Sequence, residues 1–164
     1  MDHLLCIPLG VVVERVKIDS QGQAYTWKVS AVLLGPTRLQ PGMPLRQDSE
    51  AVTFFAGVGS LTLYPSEVGS YRENLSQDPA RLYVVLAKRE GGPENEPPRL
   101  ALLTAAAQAA EGQRKGGNIV VDGLPMPNVL VELVAAYLNE HRPPETAAPT
   151  PVAPGGGRRT NEGA

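Results

Sequence analysis

The chain has 164 residues, of which 42% are hydrophobic, 20% charged and 5% aromatic, so it fits one globular domain with a core built mostly of Leu, Val and Ala. Its 15 basic and 17 acidic residues leave a net charge of -2, which argues against nucleic acid as the main partner because no broad positive field attracts a phosphate backbone. The single cysteine, Cys6, rules out an internal disulfide and a multi-thiolate metal site, and the composition suits a reducing cytoplasm.

The opening MDHLLCIPLGVVVERV is apolar but short, holds Pro8 and Gly10, lacks a basic leader and reaches Glu14 quickly. It reads as a first strand and not as a signal peptide. β-branched content places that strand at Gly10 to Val16, with Pro8 restricting any earlier pairing to an edge or bulge. AYTWKVSAVLLG alternates Tyr25, Trp27, Val29 and Ala31 against Thr26, Lys28 and Ser30, which predicts a strand with one face on a core. Residues 35 to 50 hold three prolines and two glycines and are expected to form a surface loop.

AVTFFAGVGSLTLYP resumes strand character, with a bend, bulge or tight turn at Gly57 and Gly59. Pro65 stops the pairing, Ser66 offers an oxygen to the first free amides of a short helix, and Pro79 ends that helix by Asp78. RLYVVLAKRE reads as the clearest strand, with a β-branched run at its centre, and GGPENEPP as a polar, proline-rich hairpin or loop. RLALLTAAAQAAEGQRKGG is expected to start as a strand through Leu103 and become an alanine-rich helix, capped by Thr104 and closed by Gly116 or Gly117. NIVVDG follows as a last short strand.

The final helix, PNVLVELVAAYLNEHR, takes Asn128 as its cap. Leu130, Leu133, Val134, Tyr137 and Leu138 form a buried stripe, while Glu132, Asn139 and Glu140 point away. From Pro143 onward too few large apolar residues remain to offset ordering entropy, so 143–164 is expected to be a disordered tail after a globular domain at 1–142. No segment approaches the ~20 apolar residues that cross a bilayer, and a soluble protein is expected. The element order predicts an α+β fold: one domain with an antiparallel or mixed sheet and about three short helices.

Chemistry-bearing motifs are sparse. GxxxxGK followed by Ser or Thr is absent, and the GVG at 57–59 lacks the third glycine and helix start of a nucleotide site. His3 and His141 stand at opposite ends of the domain without ligand-spaced neighbours, so no metal is expected. No G-x-S-x-G elbow occurs, and Glu14, Glu67 and Asp122 read as solvated surface acids. No catalytic residue and no cofactor is assigned.

The stretch LTLYPSEVGSYRENL, residues 61–75, offers the most. Val68, Tyr71 and Leu75 share one helical side that should pack on the sheet, and Glu67 with Tyr71, or Val68 with Arg72, stand one turn apart. Two readings stay open: a capped helix with solvated charges, or a partner-binding face built on Tyr71 and Arg72, residue types enriched at interface hot spots. Met126, between two prolines in GLPMPNVL, either meets a partner from a stiff turn or plugs the core edge.

Several segments together resemble one family: IPLGVVVER, Trp27 in YTWKVSAV, the stretch with Glu67, Tyr71, Arg72, Asn74 and Leu75, LYVVL, and DGLPMPNVLVELV. They are similar, in the same order, to a small bacterial family of uncharacterised domains commonly encoded beside molybdenum- or tungsten-dependent formate dehydrogenases. The resemblance covers roughly residues 6 to 142. It implies a non-enzymatic cytoplasmic accessory protein that binds a formate dehydrogenase subunit or its assembly factor. Under it, Glu67, Tyr71, Arg72 and Asn74 are the leading contacts, with Trp27 and Met126 behind them.

Some members are labelled molybdopterin-guanine dinucleotide biosynthesis protein A, which implies guanylyl transfer to molybdopterin as the alternative. That activity resembles a Rossmann-like fold with a glycine-rich loop after its first strand, whereas here Gly10 leads into VVVERVKIDS. A structural subunit of the dehydrogenase is a third implication. The family's basic, aromatic end is reduced here to Arg158 and Arg159, and the acidic and aromatic residues of its second helix are replaced by TAAAQAAEGQ.

Overall fold

The computed structural model describes residues 4–18, 25–49, 51–93, 95–114 and 118–141. Seven strands, β1 (Leu5–Lys17), β2 (Tyr25–Leu34), β3 (Pro44–Gln47), β4 (Ala51–Leu63), β5 (Arg81–Ala87), β6 (Arg99–Thr104) and β7 (Ile119–Pro125), form one sheet. Its order is β2-β1-β4-β6-β5-β7, with β3 also pairing with β4. The β4–β6 neighbours are parallel, through Leu61 and Leu103, and the other pairs are antiparallel. Three helices complete the fold: α1 (Val68–Leu75), α2 (Ala107–Glu111) and α3 (Asn128–Glu140). The expected α+β fold with a mixed sheet is what forms.

β1 is longer than its β-branched run, because it pairs with β4 from Leu5 onward. β2 joins only at Leu9, so Pro8 has a strand on one side alone, where a missing N–H is tolerated. Two register shifts fall side by side in β1. Ser30 is the extra residue opposite Val12 and Val13 on β2, and Ala56 is extra opposite Val11 and Val12 on β4. Gly57, beside the second bulge, has φ of +136°, which side-chain-bearing residues rarely adopt. The strict alternation of β2 therefore holds from Tyr25 to Ser30 and changes phase afterwards.

Paired bulges bend a sheet, and this one curls until its end strands meet. The backbone N–H of Val29 on β2 donates to Asp122 Oδ2 on β7 at 2.8 Å, and Gly123 N–H donates to Oδ1 at 2.8 Å. Asp122 is thus a half-buried bridge between sheet ends and not a solvated surface acid.

Inside the curl lie Leu9, Val11 and Val13 from β1, Leu61 and Leu63 from β4, and Leu82, Val84 and Leu86 from β5. Tyr71, Leu130, Val134 and Tyr137 complete the core from α1 and α3. Each fully buried large apolar side chain contributes roughly 1.5–3 kcal/mol, so this cluster is the main source of stability. The expected stripe on α3 is the buried one: Leu130, Val134 and Tyr137 are buried, Leu133 and Leu138 pack beside them, and Glu132, Asn139 and Glu140 are exposed.

Local expectations failed at three helix starts and in one loop. Ser66 does not cap α1: a 3-10 turn at Pro65–Glu67 precedes the helix, with Glu67 N–H donating to the Tyr64 carbonyl at 3.0 Å. Such a turn satisfies amides that a side chain would otherwise serve. Asn128 is the first residue of α3 and Pro127 holds the cap position, since proline's fixed φ suits a helix entry. α2 begins after Ala106 and its cap at the far end is Gly112; Thr104 instead turns back so that its Oγ1 accepts from Ala106 N–H at 3.0 Å. Gly116, Gly117 and the tail expected over 143–164 lie outside the described residues.

The loop expected over 35–50 contains β3. Gly42 N–H donates to the Phe55 carbonyl at 2.7 Å and Phe55 N–H to the Met43 carbonyl at 2.9 Å, so tertiary pairing overrides the proline-rich composition.

Candidate functional site

The stretch from Leu61 to Leu75 passes from β4 through the Pro65 turn into α1. Val68, Tyr71 and Leu75 face the core as their spacing predicts, with Tyr71 fully buried. Its phenol donates to Glu67 Oε1 at 2.8 Å, one turn earlier, and accepts from Tyr64 N–H at 2.9 Å. The ring meets Tyr137 of α3 edge-on at 6.4 Å. Burial pushes the Tyr71 phenol well above its ordinary range; the Tyr64 N–H opposes this and the Glu67 carboxylate adds to it.

One turn later Asn74, 4% exposed, holds three elements together. Its Nδ2 donates to the Arg81 carbonyl at 2.7 Å and the Ala105 carbonyl at 2.8 Å, while Oδ1 accepts from Arg81 N–H at 2.9 Å. Gln77 Nε2 adds a fourth contact to Oδ1 at 3.1 Å. This amide joins α1 to the start of β5 and the end of β6, and both of its polar atoms are used within the fold.

The outer side of α1 differs. Arg72 and Glu73 are exposed, and a cleft of about 400 Å³ lies along the helix, lined by Ser70, Glu73, Gln77, Tyr83, Gln108 and Asn74. Ser70 Oγ donates to Gln108 Oε1 at 3.2 Å, tying α1 to α2 across this cleft. Tyr83 enters from β5, a contribution that only the sheet order reveals. Its sequence neighbourhood, LYVVL, signals a strand and nothing more.

Of the six expected contact residues, Glu67, Tyr71, Arg72 and Asn74 are brought together. Tyr71 and Asn74 look inward, Glu67 is half-buried beside Tyr71, and Arg72 looks outward. Trp27 and Met126 are elsewhere and buried at 7% and 5% exposure. Trp27 packs against Phe54 on β4, with ring centroids 5.8 Å apart, and Met126 N–H donates to the Ala80 carbonyl at 2.8 Å.

A family model described as a protein of unknown function, DUF3305, matches residues 8–148. The chain belongs to that family. The match spans the sheet from Pro8 onward and all three helices, so both the α1 joint and the cleft beside it lie within the DUF3305 domain. No curated protein and no solved structure matches the chain.

Other chemistry in this DUF3305 domain is limited. Among the described residues no three His, Cys, Asp or Glu side chains gather as metal ligands, and no helix is long and apolar enough to cross a membrane. His141 stacks on Tyr137 at 4.1 Å, and its Nδ1 lies 3.0 Å from the Tyr137 carbonyl at the end of α3. The GVG at 57–59 sits in a strand: a side chain at Gly59 would begin 2.8 Å from Leu100 Cδ2, so this glycine permits the close approach of β6.

Proposed function

We propose that this DUF3305 protein is a non-enzymatic accessory factor in the maturation or assembly of a molybdenum-dependent formate dehydrogenase, binding a subunit of that enzyme or another assembly factor. The observation that supports a binding role is the division of α1 into two sides. Its inner polar atoms, from Tyr71 and Asn74, are committed to the fold, and they hold the outer side rigid. A helix side fixed in this way presents Arg72 and Glu73 to a partner with little further ordering cost. The choice of partner rests on the sequence resemblance.

Deleting the gene in its host and assaying formate dehydrogenase activity, with the molybdenum and guanine-dinucleotide content of the enzyme, tests the reading. Lost activity with normal cofactor elsewhere in the cell is expected, and Arg72→Ala should weaken capture of the partner without unfolding the domain. Unchanged dehydrogenase activity would overturn it. Saturable, magnesium-dependent GTP binding would favour guanylyl transfer instead, and constant stoichiometry in the purified active dehydrogenase would identify a structural subunit.

A further inference from the structure

At the end of β1 remote from α1, two cations stand on one face of the sheet. Arg15 and Lys17 are two residues apart on a strand, so their side chains point the same way. Across the ladder Lys17 lies opposite Tyr25, and Arg15 lies opposite Trp27 on β2 and Val52 on β4. The Arg15 guanidinium reaches diagonally over two rings, 4.8 Å from the Tyr25 centroid and 5.2 Å from that of Phe54. These contacts, with a bond from Nη1 to the Asn95 carbonyl at 2.8 Å, hold it in place.

Neither cation is neutralised by a described carboxylate. Glu14, the nearest acid in sequence, points to the other face and pairs with Lys28 at 3.7 Å. Asp48 stands at the same mouth, where its Oδ1 accepts from Ala51 N–H at 2.9 Å. Between these groups is a cleft of about 310 Å³, lined by Arg15, Lys17, Tyr25, Gln47, Asp48 and Ser49 among others. The mouth of a curled sheet is a common place for a small-molecule site. A guanidinium held against two rings and bound to one carbonyl keeps further N–H donors for a planar or tetrahedral oxyanion.

We infer that this mouth binds a small organic oxyanion, a phosphate ester or a carboxylate. Arg15 and Lys17 hold the anionic group. Gln47 and Ser49 supply polar groups for the rest of the molecule, and the Tyr25 ring forms one wall. The site is separate from the α1 face and does not depend on the function proposed for it.

The test is a titration of the full chain, followed by amide and indole NMR, with inorganic phosphate and in parallel with acetate, at constant ionic strength. Saturable shifts centred on Arg15, Lys17, Gln47, Ser49 and the Trp27 indole are expected. Lys17→Gln, which removes no hydrogen bond or ring contact among the described residues, should weaken binding about tenfold, the scale of one charged hydrogen bond. Arg15→Gln should abolish it. Tighter binding of phosphate identifies a phosphate ester as the ligand class, and acetate binding at least as tightly identifies a carboxylate. Shifts that do not saturate, or that persist unchanged in Lys17→Gln, would overturn the site and leave only diffuse ion association.

Discussion

At the Leu5 end of β1, polar side chains are enclosed and matched: Tyr71 and Asn74 make all their bonds to groups of the same chain. At the Lys17 end they are left facing a cleft, with Arg15 held in place by rings and Lys17 bonded to none of the described groups. The first arrangement stiffens the fold, because an unmatched polar atom in the interior is costly and a matched one fixes its neighbours. The second leaves binding capacity. The inner side of a polar motif dense enough to draw notice in a sequence can therefore serve the fold, while unmatched cations stand at the far end of the same strand.

The strongest way to break this contrast is Asn74→Ala. It strands the Arg81 N–H and the carbonyls of Arg81 and Ala105, and should destabilise the domain by about 3 kcal/mol, seen in denaturant unfolding. A loss under about 0.5 kcal/mol, the range of ordinary surface changes, would mean that α1 is held without this amide.

Tyr71→Phe keeps the ring and removes the bonds to Glu67 and Tyr64. A loss of about 1–2 kcal/mol is expected at neutral pH. The folded phenol keeps its proton above the ordinary value of 10.0, so the unfolded chain ionises first as pH rises. Its stabilisation is complete below that value and falls as pH climbs beyond it. Unfolding curves measured on either side of pH 10 should therefore diverge less in Tyr71→Phe than in the parent chain.

Gly57→Ala probes the bulge that bends the sheet toward closure. Its backbone φ of +136° strains any side chain, and a loss of about 1–2 kcal/mol is expected by thermal unfolding. Arg72→Ala should give the smallest change, within about 0.5 kcal/mol, because the side chain is exposed and makes no bond among the described residues. A large fall in melting temperature for Arg72→Ala would overturn the interface role proposed for this residue and give it a structural one.

Much of the framework was legible from periodicity. The stripe on α3, the inward side of α1 and the alternation of β2 up to Ser30 follow from spacing, since a buried face must repeat at the period of its element. The Glu67–Tyr71 pair was legible for the same reason. Ser66 and Asn128 misled because several groups compete to serve a helix start, and the 3-10 turn and Pro127 prevailed. β3 was hidden in a proline- and glycine-rich segment, because its pairing depends on β4 and not on its own propensity.

By itself the sequence determined the element types apart from β3, the one-domain α+β class and the residues that had to be apolar, because these depend on local spacing and composition. Only the tertiary structure decided that Asp122 bridges the two ends of the sheet, that Tyr83 and Gln108 share a cleft with Glu73, and that Arg15 lies between Tyr25 and Phe54. Each of those contacts joins residues brought together by strand order and curl. No local pattern encodes that order, because a hydrogen-bonded ladder is set by which strands pair and not by what any one strand contains.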